Sequence, residues 1–231
     1  MTAANASVIS LQDLQLELGA HNHLTSILKH ITVDIPSGQH VAILGPSGAG
    51  KTSLLMIMAG LEQATGGAVT LAGHDITHMK EDELAALRRD HVGIIFQAFR
   101  LIPSMTALQN VAVPMELAGN PDADKIAAEA LEKVGLGHRL SHLPDQLSGG
   151  EQQRVAIARA IAPKPRILLA DEPTGNLDSQ TGALVIETLF EATKSVGAAL
   201  VLITHDVSLA AQCERILTIE DGKVVKDGAP K

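Results

Sequence analysis

Hydrophobic and polar positions alternate twice near the start of the chain. Leu14, Leu16 and Leu18 are separated by polar residues, and so are Ile31, Val33 and Ile35. A period of two belongs to a strand with one buried face. Both stretches are therefore predicted as half-buried, antiparallel strands, with a polar loop over 19–26 between them. Pro36-Ser37-Gly38 then turns the chain into an apolar strand over 41–44, and a helix is predicted over 53–59. Thr65-Gly66-Gly67 reads as a turn before a short strand at 68–71. A helix over 81–90 and a buried strand over 92–96 follow. From 98 to 165 nothing reads as a strand. Asn120-Pro121-Asp122 reads as a helix start with Asn120 as cap, continued at helical spacing by Ile126, Ala127, Ala130, Leu131 and Val134 and stopped by Gly135. A second helix is predicted over 149–161. Apolar runs at 167–170 and 200–204 read as buried strands joined by a crossover helix over 182–193. Strands at 215–219 and 223–225 close the chain as a hairpin around Asp221-Gly222. The pattern is that of an α/β core carrying a helical insertion.

Composition narrows the picture. With 231 residues the chain is long enough for one large α/β domain with a subdomain. Only Phe96, Phe99 and Phe190 are aromatic, so the core must be aliphatic. The formal net charge is −8 with acids and bases interspersed, which argues against nucleic acid as the main partner. The single cysteine, Cys213, suits a reducing compartment and reads as a small core residue. The start of the chain lacks the basic and apolar blocks of a signal peptide. The longest apolar run, 198–203, falls far short of the roughly 20 residues that span a bilayer. A chain soluble by itself is expected, with any membrane role supplied by a partner.

The chemistry centres on GPSGAGKT, residues 45–52, which fits the phosphate-loop pattern G-x-x-x-x-G-K-[ST] between a strand and a helix. Gly45, Ser47, Gly48, Ala49 and Gly50 would present backbone N–H groups to phosphate oxygens, with Pro46, which has none, part of the same loop and Ser53 just inside the helix. Lys51 would reach the β- and γ-phosphates, and the Thr52 hydroxyl would ligate Mg²⁺. The strand at 167–170 ends in Asp171 and Glu172. Carboxylates at the C-terminal edge of such a strand face a ligand crevice. Asp171 would hold Mg²⁺ and Glu172 would orient and polarise the attacking water. Ser148, Gly149 and Gly150 open the second helix as another anion-binding N-terminus.

The string LSGGEQQR, residues 147–154, resembles the signature of ATP-binding-cassette (ABC) ATPases. Gln97 resembles that family's Q-loop glutamine, Asn176-Leu177-Asp178 its D-loop and His205 its switch histidine. FQAFRLIPSMTALQNVAVP (96–114) and ADEPTGNLDSQTG (170–182) resemble the branch containing LolD and MacB; HVGIIFQAFRLIP and LGHRLSHLPDQLSGGEQQRVAIARA are similar to the YbbA subfamily. The resemblance spans almost the whole chain. It implies a P-loop NTPase fold of ABC type: a RecA-like core with an N-terminal antiparallel β subdomain (1–97 and 166–231) and an inserted helical subdomain (98–165).

The implied activity is ATP hydrolysis with Mg²⁺. Two copies would pack head to tail with ATP between them, Ser148, Gly149 and Gly150 of one completing the γ-phosphate site of the other. Gln97 would sense Mg²⁺ and the attacking water, and His205 would contact the γ-phosphate. Asp178 would act across the interface, with a helix-capping aspartate as its rival. The family's adenine-stacking aromatic is missing from the N-terminal β segment. Adenine would instead pack on Leu18, His21 or His23, with weaker base discrimination, although a solvated loop accounts for the two histidines. The segment from Gln97 to Met105, with Phe99, Leu101 and Ile102, would receive an integral-membrane permease of LolC/MacB type, placing the protein at the cytoplasmic face of a bacterial inner membrane. The cargo implied is lipoprotein, lipid or an amphipathic compound. The alternative is a regulatory ATPase that transmits force across the membrane without moving cargo; a soluble ABC protein acting on DNA or ribosomes is disfavoured.

Overall fold

The computed structural model of the protein describes residues 7–20 and 23–230. In chain order its elements are β1 (Ser7–Ala20), β2 (His23–Pro36), β3 (His40–Leu44), α1 (Lys51–Met58), β4 (Gly66–Leu71), β5 (His74–Asp75), α2 (Glu81–His91), β6 (Val92–Ile95), α3 (Ala107–Leu117), α4 (Ala123–Lys133), α5 (Gly149–Ile161), β7 (Ile167–Asp171), α6 (Ser179–Val196), β8 (Ala199–Ile203), α7 (Val207–Ala210), β9 (Arg215–Glu220) and β10 (Lys223–Gly228). The chain forms two compact units: residues up to 88 together with those from 199 onward, and residues 89–198.

The first unit holds an antiparallel sheet in the order β2-β1-β4-β5. The predicted alternation explains its buried face only in part. Leu14, Leu16, Ile31, Val33 and Ile35 are buried as expected, but so are Val8, Ile9 and Leu11, while Leu18 is 43% exposed. The period slips between Leu11 and Leu14, where the register shifts. Asp13 (φ 52°) and His30 (φ 56°) take left-handed backbone there, and their side chains meet at 2.7 Å. An irregularity of this kind resets which side chains face inward. The expected loop over 19–26 is also shorter than its polarity suggested. Leu18 pairs with Thr25, Gly19 with Leu24 and Ala20 with His23. A ladder needs backbone pairing, not buried apolar side chains, so an exposed hairpin end with Leu18 and Leu24 in solvent still counts as strand. His21 and the side chain of His23, considered above for adenine, lie outside the described residues.

The same unit carries β10-β9-β3-β8, in which β3 runs parallel to β8 and β9 while β10 closes the predicted hairpin. β3 and β8 are buried almost throughout, as a strand covered on both faces must be. Cys213 is buried, and burial, with the Glu214 charge adding, pushes its thiol up to about 12.

In the second unit β6 and β7 run parallel, Val92 opposite Ile167 and Ile95 opposite Ala170. α3, α4, α5 and α6 pack around one another there. α5 spans the predicted residues. α4 starts two residues later than its sequence signal: the Asn120 carboxamide accepts from the Asp122 N–H at 2.9 Å, so Pro121 belongs to the turn and Asp122 stands at the cap. α3 escapes the pattern because Pro114 lies inside an almost continuous apolar run. Its signal is the capping box of Thr106 and Gln109.

Asn110 anchors α3 to the segment before it. Its side chain is fully buried, accepts from the Ile102 N–H at 2.7 Å, and donates to the carbonyls of Ile102, Met105 and Thr106 at 3.1, 2.9 and 3.1 Å. Asn110→Ala is expected to destabilise the protein by about 3 kcal/mol, because it removes every one of these bonds from an enclosed site. An earlier midpoint in urea denaturation checks this.

Candidate nucleotide site

In the first unit, parallel pairing sets Ile43 beside Ile203 and Leu44 beside Thr218. The chain therefore leaves β3 and β8 at the same edge. It leaves β3 into Gly45, where backbone packing tolerates no side chain: a Cβ would stand 2.1 Å from the Ile219 carbonyl oxygen. Gly50 caps α1 at φ 96°, a conformation favouring glycine. α1 has no side-chain cap and no acid in its first turn, so its N-terminal N–H groups are not claimed by a carboxylate of the helix itself.

Lys51 is buried, and its ammonium donates to the carbonyls of Gly45 (2.9 Å) and Pro46 (2.8 Å). The loop is braced from outside by Gly222, whose N–H donates to the Ala49 carbonyl at 3.2 Å. Pro46, Ser47, Gly48 and Thr52 are exposed, Ala49 is buried, and Gly50 and Ser53 are half-buried.

β8 ends at Thr204, whose N–H donates to the Ile43 carbonyl at 3.3 Å. The Thr204 hydroxyl accepts from Asp206 N–H at 3.0 Å, and Asp206 caps α7 through the N–H groups of Ser208 (2.7 Å) and Leu209 (3.3 Å). The Ser208 hydroxyl holds the Asp206 carboxyl below its ordinary range, helped by the Ser208 and Leu209 N–H groups. His205 is exposed between these two anchored residues. Thr204 and Asp206, which flank it, went unnoticed in the sequence; the D-x-S string after the histidine was the available signal.

In the second unit, β6 and β7 likewise end side by side, bringing Gln97 near the edge that carries Asp171 and Glu172. Both acids are half-exposed, and Glu172 takes φ 43°, an uncommon conformation for a residue with a Cβ. Its carbonyl accepts from Gly175 N–H at 3.0 Å, starting the turn that leads to Asp178. Asp178 caps α6 through Gln180 N–H (3.1 Å) and Thr181 N–H (3.0 Å). The Thr181 hydroxyl leads the interactions that lower its carboxyl pKa. Its capping role is thus present.

Ser148 caps α5. Its hydroxyl accepts from Glu151 N–H at 3.3 Å and its own N–H donates to the Glu151 carboxylate at 2.9 Å. That main-chain bond, with the Ser148 hydroxyl and Arg139 adding, holds the Glu151 carboxyl below its ordinary range. Ser148 is exposed, Gly149 half-buried, and Gly150 buried, with space for a Cβ taken by Thr181 at 2.3 Å.

A glycine loop, a buried lysine and an uncapped helix following a parallel strand define a P-loop nucleotide-binding protein. Comparison with known proteins narrows the class. Residues 28–175 match the family model described as ABC transporter. The chain is 44% identical over 223 residues to the ABC transporter ATP-binding protein YbbA of Escherichia coli (strain K12), covering 96% of this chain and 98% of that one. It is 43% identical over 224 residues to the lipoprotein-releasing system ATP-binding protein LolD of Geobacter metallireducens, covering 96% and 100%. It also matches the solved dimeric structure of an ATP-binding cassette in a post-hydrolysis state with ADP and Pi, at a TM-score of 0.88 and 37% identity over 96% of this chain and 99% of that one. The chain belongs to the ABC transporter family, as an ATP-binding subunit with ATP hydrolase activity.

Lys51→Ala is expected to weaken ATP binding about 30-fold, the equivalent of one charge-assisted hydrogen bond of about 2 kcal/mol. Unchanged affinity in titration calorimetry would count against the loop as the phosphate cradle.

Proposed function

We propose that this subunit works as a head-to-tail dimer that hydrolyses Mg²⁺-ATP to drive a separate integral-membrane permease of LolC/MacB type. The observation that carries the reading is the presence of two helix N-termini suited to phosphate: the Gly50 start of α1, and the Ser148-Gly149-Gly150 start of α5 about a hundred residues later in the chain. The second has a use if it completes the γ-phosphate site of another copy, and the matching cassette was solved as a dimer. No helix among the described residues is long and apolar enough to cross a membrane. LolD, by its name, serves lipoprotein release. The cargo proposed here is accordingly a lipoprotein, a lipid or an amphipathic compound, with the ATPase docked at the cytoplasmic face of a bacterial inner membrane.

The donor set fits the metal. Thr52, Gln97 and Asp171 offer hydroxyl, amide and carboxylate oxygens, the hard ligands that Mg²⁺ accepts while keeping waters and phosphate oxygens around it. When bound, Mg²⁺ neutralises charge on the β- and γ-phosphates and so eases attack at phosphorus. Lys51 holds the same phosphates from the loop, beside the N–H groups of residues 47–53. Glu172 orients a water for attack on the γ-phosphorus and takes up its charge development. Gln97 and His205 fix the positions of that water and of the γ-phosphate.

For Glu172→Gln, ATP binding is expected to survive while turnover falls by about a hundredfold or more, as for loss of a general base. Light scattering should then show an accumulated dimer with ATP; near-normal turnover would refute the role of Glu172.

Docking is assigned to the segment from Gln97 to Met105. Ile102 is 37% exposed on it, while Phe99, Leu101 and Met105 are half-buried. An apolar surface of this kind suits a partner helix. Leu101→Glu is expected to reduce co-purification of the permease from solubilised membranes far more than it reduces ATP affinity. Equal losses in both would make this segment internal packing. A permease captured by the wild type but idle in vesicle transport assays would favour force transmission over transport.

A further inference from the structure

The residue that fixes Gln97 is not adjacent to it in sequence. The Asn176 carboxamide donates from Nδ2 to the Gln97 main-chain carbonyl at 3.0 Å, and the Gln97 side-chain Nε2 donates to Asn176 Oδ1 at 3.4 Å. One amide thus holds both the main chain and the side chain of the other. The neighbouring Gly175 makes room for this pairing. A Cβ built on Gly175 would lie 2.6 Å from Gln97 Nε2, 3.1 Å from its Cδ and 3.3 Å from its Cγ. Those are the three nearest atoms, so what glycine spares at this position is the Gln97 side chain itself. Gly175 has no positive φ that would otherwise require glycine.

From the other side, the Arg159 guanidinium donates to the carbonyls of Phe99 (2.9 Å) and Arg100 (2.7 Å). Those two residues take φ 53° and 50°, so the segment that follows Gln97 is pinned in a backbone conformation that L-residues rarely hold unaided. Arg100 in turn lies over the Phe96 ring at 4.2 Å. Gln97 therefore sits between a braced segment and an amide clasp.

We propose that Gly175 and Asn176 form a cradle that positions Gln97, making Asn176 a positioning residue for ATP hydrolysis. This rests on the reading of Gln97 as a group that acts at the nucleotide. A side chain free to rotate would reach its working place in only part of its conformers. The cradle narrows that set before ATP arrives, and so acts on the rate of the chemical step rather than on nucleotide affinity.

The two positions allow independent tests. Asn176→Ala removes both hydrogen bonds. Gly175→Ala leaves Asn176 in place and pushes the Gln97 amide off its seat, at little cost to the fold because the displaced atoms end a flexible side chain. Each variant is expected to lower kcat about fivefold, the weight of one ordinary hydrogen bond, with KM for ATP unchanged. In a Gln97→Ala background neither substitution should lower kcat further, because the group they position is gone. Hydrogen exchange over residues 96–102 should quicken in Asn176→Ala. The proposal is overturned if the losses add to that of Gln97→Ala, or if both variants turn over at the wild-type rate. Normal turnover of Gln97→Ala alone overturns the assignment of Gln97, and the cradle's role with it. A slow Gln97→Ala beside an unaffected Asn176→Ala removes the cradle only.

Discussion

A buried ammonium group sets the form of the phosphate loop. Lys51 is almost sealed from solvent, and a cation in that position must be met by oxygen. The loop meets it with its own carbonyls, those of Gly45 and Pro46, by curling back over the helix that carries the lysine. That curl brings the chain at residue 45 so close to the Ile219 carbonyl that only glycine fits, and it presses Gly50 against Leu28 and Ile27. The closing hairpin is part of the same arrangement, since Gly222 donates to the loop at Ala49 and Lys29 donates to the Gly222 carbonyl. The glycines of the motif therefore give a backbone thin enough to fold around a lysine.

What could be read from the chain without coordinates follows from how local the controlling interaction is. The phosphate loop, the Asp171-Glu172 strand end and the Ser148 cap are set by neighbours within a few residues, and each is written as a short string. Helix α5 is legible for the same reason, because cap, glycines and apolar spacing agree. The slip in β1 was not legible, since it depends on Asp13 meeting His30 seventeen positions away. Nor was α3: its proline argues locally against a helix, whereas the Asn110 side chain holding residues 102–106 argues for one only once the fold exists.

The same distinction separates the residues with evident chemistry from those that place them. Gln97, Glu172 and His205 stand out in the sequence by type and by motif. Their neighbours stand out less: Thr204 and Asp206 flank His205, and Asn176, read in the sequence only as the start of the D-loop resemblance, clasps Gln97 across 79 positions. Arg159 was legible only as part of a helix, yet its guanidinium is drawn in deeply enough that burial lowers its pKa, and it spends its donors on two main-chain carbonyls. A side chain used in this way carries no motif, because the partners of Arg159 are backbone atoms that any residue would supply.

The helix starts differ in what they leave open to an anion. α6 and α7 are closed by the carboxylates of Asp178 and Asp206, which occupy the N–H groups and place a negative charge where an anion would sit. α3 is closed by Thr106 with Gln109 in a neutral box. α5 is a mixed case, with Ser148 at the cap but the Glu151 carboxylate folded back onto the Ser148 N–H. Only part of that end is open to a ligand. α1 alone combines a glycine cap with neither a side-chain cap nor an acid in its first turn among the helices whose caps are described. A helix start with no capping side chain and no acid of its own can take water or an incoming anion. The buried Lys51 beside it tips that choice toward the anion, since phosphate can satisfy the N–H groups and the ammonium together.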